Sequence, residues 1–106
     1  MPLIRLDTLS VRDIFPGIHA RLVHTGLVSH SWVDIDEGAH FPEHQHPHEQ
    51  IVNVLEGELE LVVAGEPHRL VPGLVFVIPP NALHCGRAVT ACRVLDAFAP
   101  VREDYR

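Results

Sequence analysis

Nine prolines, at positions 2, 16, 42, 47, 67, 72, 79, 80 and 100, interrupt a chain of 106 residues so often that few windows can hold a helix of normal length. One short helical turn around Thr8 to Ile14 is the exception the spacing allows. Between the prolines the apolar residues alternate or run in short β-rich blocks. In Gly57-Glu-Leu-Glu-Leu-Val-Val-Ala-Gly65, residues Leu59, Leu61 and Val63 fall on one face. Strands are predicted over 18–25, 27–35, 50–55, 58–63, 68–70, 75–78 and 91–98, with reversals at Glu56-Gly57, Gly65-Glu66 and Pro72-Gly73. This pattern predicts an all-β chain, an antiparallel meander closing into a small sandwich or barrel of the jelly-roll type. The length suits one domain, expected over 1–106 with a lead-in segment over 1–17. With 46% hydrophobic residues the chain can bury a core.

Composition removes several kinds of chemistry. All eight basic residues are arginines, so Schiff-base chemistry and the lysine of a phosphate loop are out of reach. A formal charge of −6, with the arginines scattered from Arg5 to Arg106, argues against a nucleic-acid partner. No apolar run is long enough to span a bilayer by helix or to serve as a signal peptide, so no membrane partner is expected and the expected location is cytoplasmic. Cys85 and Cys92 read as free thiols rather than a redox pair or a zinc module.

Histidine is the abnormal residue: nine in all, with His40, His44, His46 and His48 inside one short stretch. In extended chain, residues two apart project to one side, so His44 and His46 can offer two imidazoles to one point. Gln50 shares their parity and can add a carbonyl oxygen if the chain stays extended through Pro47. A further imidazole comes from His84, which sits in the proline-bounded turn Ile78-Pro-Pro-Asn-Ala-Leu-His84. Three imidazoles and one amide suit a single divalent transition metal ion, with zinc, nickel, iron, manganese and copper all open. His48 and Glu49 stand next to this set and stay open as participants. His19, His24, His30 and His68 receive no functional role.

The residues Gly38, His44, His46, Gln50 and Gly57 follow the spacing of the first cupin motif, with glutamine in the place of its glutamate. Gly73, Pro79 and His84 follow the second, with Asn81 and Ala88 replacing the usual glycine and asparagine. The chain thus resembles the cupin superfamily, which implies the double-stranded β-helix form of the jelly roll. Within it, His44-Gln-His-Pro-His-Glu-Gln50 and the ending Leu95-Asp-Ala-Phe-Ala-Pro-Val-Arg-Glu-Asp-Tyr105 are similar to the small cupins of pectin and alginate breakdown, which linearise unsaturated uronates.

That resemblance implies a metal held by His44, His46, His84 and Gln50, and catalytic or substrate-contacting roles for Asp96, Phe98 and Arg102. Asp96 would move a proton, Phe98 would form an apolar wall, and Arg102 would clamp the carboxylate of a small carboxylated sugar. A cupin dioxygenase and a non-catalytic sugar or effector binder are the alternatives, and a structural zinc site fits least because neither cysteine falls in the motif. A homodimer is expected, because it would cover the exposed edge strands of a small open barrel.

Overall fold

The computed structural model describes residues 2–106. Ten strands follow in chain order: β1 (Arg12–Phe15), β2 (Ile18–His24), β3 (Ser29–Ile35), β4 (His40–His44), β5 (Glu49–Glu56), β6 (Leu59–Val63), β7 (Glu66–Leu70), β8 (Val75–Ile78), β9 (His84–Ala88) and β10 (Cys92–Ala99). Single 3₁₀ turns lie at Leu6–Thr8 and Glu103–Tyr105. The strands form a six-stranded sheet in the order β1-β2-β3-β10-β5-β8 and a four-stranded sheet in the order β4-β9-β6-β7. Every pairing is antiparallel, as the all-β jelly roll requires. Among the described residues, no helix is long and apolar enough to cross a membrane.

The burial pattern of β3 shows how sequence alternation becomes a layer: Ser29, Ser31, Val33 and Ile35 point inward and are buried, and the residues between them are half-exposed. The antiparallel register then sets Val94 of β10 beside Val33, and Asp96 beside Ser31. On the other flank of β10, Val52 of β5 lies opposite Asp96, and Gln50 opposite Phe98. The inner face of the large sheet therefore grades from aliphatic at one end to polar at the other. Leu59, Leu61 and Val63 of β6 pack into the core from the small sheet, and each is at most 6% exposed. Each such side chain contributes about 1.5–3 kcal/mol by leaving water. The polar end is left to hold a site.

Three expectations change. The stretch around Thr8 to Ile14 forms no helix; a 3₁₀ turn precedes it, and β1 pairs with β2 through Arg12↔Ala20 and Asp13↔His19. Pro16 leaves too short a window for a helix, while β2 offers backbone partners. The chain is also not a simple meander, since β4, β6 and β9 belong to one sheet and β5, β8 and β10 to the other, so most reversals carry the chain across the sandwich. Only the β6–β7 connection among the predicted reversals is a tight hairpin. Its central pair is Ala64-Gly65, both at positive φ, rather than Gly65-Glu66.

Strands β4 and β9 were not predicted. Pro42 masks β4, which tolerates it as an edge strand with an irregular register between Phe41 and His44.

Candidate metal centre

His44 ends β4 and His84 opens β9, and these two residues are direct register partners in the small sheet. His46 lies just past β4, before a bend at Pro47–His48. The chain does not stay extended through Pro47. It turns there into β5 of the other sheet, and the bend rather than strand parity returns Gln50 to the histidines. The ligand nitrogens of His44, His46 and His84 all lie within 4.8 Å of one another. Ring centroids are 4.2 Å apart for His44–His84 and 4.9 Å for His46–His84.

Each ring is oriented by its own neighbourhood. Nδ1–H of His44 donates to the Pro42 carbonyl at 2.8 Å, that of His84 to the Ala82 carbonyl at 2.9 Å, and that of His46 to the His48 carbonyl at 3.0 Å. With Nδ1 committed as donor, each neutral ring presents a bare lone pair at Nε2. Gln50 Oε1 stands 3.0 Å from His46 Nε2, so two acceptors face each other. His84 is 2% exposed, and its Nε2 is buried with no hydrogen-bond partner. A buried acceptor without a donor is costly.

A divalent cation meets all of these demands at once, and the residues present fit one. Burial pushes the His84 imidazole down to about 4, and burial likewise lowers His46, so both are neutral and ready to ligate at neutral pH.

The rest of the cavity comes mainly from the large sheet and the C-terminal segment. His44, Gln50, His84, Asp96, Phe98 and Arg102 line one open-mouthed cavity. Burial pushes the Asp96 carboxyl up to about 7, against a lowering hydrogen bond from Gln50 and the positive charge of Arg102. Its Oδ1 is sealed from solvent without a partner. Phe98 is 4% exposed, with its ring centroid 5.8 Å from that of His46. Arg102 is buried, its guanidinium carbon 4.7 Å from the Phe98 centroid and 4.0 Å from that of Tyr105.

Of the two residues left open beside the motif, Glu49 is exposed at the start of β5. His48 turns towards the C-terminal segment, where its Nε2–H donates to the Val101 carbonyl at 3.2 Å. Neither joins the cluster. Sequence reasoning missed Phe15 and Tyr105, which also line the cavity, and Ser29, whose Oγ accepts the Arg102 backbone N–H at 2.9 Å. Tyr105 stands three residues beyond Arg102, at the end of the Leu95–Tyr105 stretch that carries the resemblance, which was the one signal available for it.

A sandwich of this topology with a histidine cluster at its polar end defines a class, and the sequence comparison agrees: residues 31–98 match the cupin domain family, Cupin_2. The chain belongs to the cupin family. Among solved structures it is similar to KdgF from Halomonas sp., with 36% identity, a TM-score of 0.85, and coverage of 92% of this chain and 91% of that one. It is also similar to an RmlC-like cupin from Shewanella frigidimarina NCIMB 400, with 29% identity, a TM-score of 0.88, and coverage of 94% and 91%. The polyketide cyclase RemF from Streptomyces resistomycificus shares the fold at 20% identity and a TM-score of 0.79, covering 93% of this chain and 79% of that one. A comparison with curated proteins gives no match.

Proposed function

We propose that this cupin is a metal-dependent enzyme that ketonises and linearises unsaturated uronates. This is the activity implied by its resemblance to the cupins of pectin and alginate breakdown. The observation that carries the reading is the sharing of one cavity by a histidine cluster, a carboxyl poised near neutrality and a buried guanidinium.

In this reading His44, His46, His84 and Gln50 hold the ion. A divalent ion bound there supplies Lewis-acid polarisation of a substrate hydroxyl or carbonyl, undiminished by any anionic ligand. Arg102 orients the sugar by its carboxylate, for which the planar fork is suited. Asp96, titrating near 7, can both release and accept a proton at the pH of turnover, and moves the proton that converts the enol into the linear ketone. Phe98 excludes water from the same face of β10. A cytoplasmic location and a homodimer belong to this reading. The edge strand β8, with Val75 and Val77 at 55% and 52% exposure, supports the latter.

The test is incubation of the metal-loaded protein with unsaturated monouronates while the conjugated ultraviolet band is followed. Loss above the spontaneous rate is expected. Asp96→Asn should reduce it by about 10²–10⁴-fold, the usual worth of general acid–base catalysis, at unchanged metal content. Wild-type turnover by that variant would end the acid–base role of Asp96. Oxygen consumption by the ferrous form, without band loss, would favour a dioxygenase.

A further inference from the structure

The Arg102 fork is already occupied. Nε donates to Asp104 Oδ1 at 3.0 Å and Nη2 donates to Asp104 Oδ2 at 2.8 Å, the paired geometry in which a guanidinium receives any carboxylate. The two partners sit in different surroundings. The Arg102 side chain is 6% exposed and faces the cavity, whereas that of Asp104 is 56% exposed and approaches from solvent. Asp104 rides on the 3₁₀ turn Glu103–Tyr105, beyond two anchored residues. Val101 is held through its carbonyl by His48, and Arg102 through its backbone N–H by Ser29. Past that anchor the turn is fastened by Arg12, which donates to the Tyr105 carbonyl at 2.7 Å and the Asp104 carbonyl at 3.3 Å.

We propose that Asp104 is a built-in competitor for the carboxylate site at Arg102, exchanged for the substrate carboxylate on binding, with the Glu103–Tyr105 turn as the element that yields. This rests on the uronate reading of the cavity and adds to it an affinity threshold that any carboxylate must exceed. A tethered carboxylate acts at a high effective concentration, so a free carboxylate offering nothing else loses the exchange. A uronate, whose ring also fills the cavity beside Phe98, gains enough contact to win it. Asp104 thereby rejects small organic acids that would otherwise collect on a buried cation.

The experiment is calorimetric titration of the metal-loaded protein with three non-reacting probes: galacturonate, acetate and the neutral sugar galactose. Asp104→Asn should bind galacturonate and acetate about tenfold more tightly than wild type, the scale of a charge-assisted pair, and galactose unchanged. Arg12→Ala frees the turn without touching the fork and should move both anions the same way by a smaller factor. It also provides the test should Asp104→Asn fold poorly with its guanidinium uncompensated. Equal or weaker anion binding by both variants would overturn the proposal and leave Asp104 as a residue that merely positions Arg102.

The probes do not react, so the two readings fail separately. Absence of turnover on unsaturated uronates alongside normal anion exchange would remove the proposed reaction and leave the competitor standing. Turnover with no gain in anion affinity would do the reverse.

Discussion

Loading the histidine cluster with a divalent ion should raise the stability of the folded chain, and replacing His84 with alanine should remove most of the rise. An ion at a hundredfold excess over its dissociation constant adds about 2.7 kcal/mol to the folded state. In a domain of this size each kcal/mol moves the melting temperature by about 4–8 °C, so stripping the metal should lower it by roughly 10–20 °C. Disturbing only the groups that orient a metal-bound histidine costs about 10–100-fold in affinity. Removing one of three imidazoles whose nitrogens lie within 4.8 Å of one another must cost at least the upper end of that range. At the same metal concentration His84→Ala would then sit near half occupancy. The residual stabilisation falls to about 0.4 kcal/mol, or a shift of about 2–3 °C.

The assay is a melting curve of chelator-stripped protein with and without each of zinc, nickel, manganese and ferrous iron. His40→Ala, at an exposed position of the same strand β4, serves as the control and should keep the full shift. If no ion moves the wild-type transition, or if His84→Ala moves as far as wild type, the cluster does not bind metal.

Two further outcomes follow from the scaffold. Gly57 joins β5 to β6 at φ 84°, and a Cβ there would lie 2.1 Å from the Ala91 carbonyl oxygen. Gly57→Ala must meet both that overlap and the ~1–2 kcal/mol cost of a left-handed residue, so denaturant titration should report a loss above ~2 kcal/mol. His19 is raised above 6.5 by its hydrogen bond to Asp13 at 2.7 Å, helped by Asp36 at 3.3 Å. Its contribution is therefore complete below pH 6.5 and lost as pH rises through the raised folded value. Melting curves across pH 6–9 should show wild type losing stability relative to His19→Gln in that direction, and parallel profiles would contradict the pairing.

Most of the site was legible because the chemistry is concentrated in short spacings. His44-x-His46, the proline-bounded His84 and the Asp96-x-Phe98 pair each carry their meaning within a few residues, and the last sits on a predicted strand, β10. What sequence could not show are relations between distant stretches. The bend at Pro47–His48 throws Gln50 onto the opposite sheet, an outcome that period-two parity cannot express. Strand β1 looked like a helical turn because its burial comes from packing of Ile14 and Phe15 on the core rather than from alternation. The Asp104 carboxylate carries no signal of its own in the sequence, and only the fold sets it against a buried guanidinium.

The two halves of the proposed chemistry stand on different layers: His44 and His84 on the small sheet, Gln50, Asp96 and Phe98 on the large one. Core side chains outside the cavity lining help set the gap between those layers: Val52, Val54, Leu59 and Leu61, packed between the sheets. One methylene more or less among these aliphatic spacers would pry the sheets apart or let them settle, shifting the acid against the imidazoles as a hinge pin governs the bite of pliers. Catalytic rate in such a molecule is therefore open to adjustment by bulk at positions that never touch a sugar.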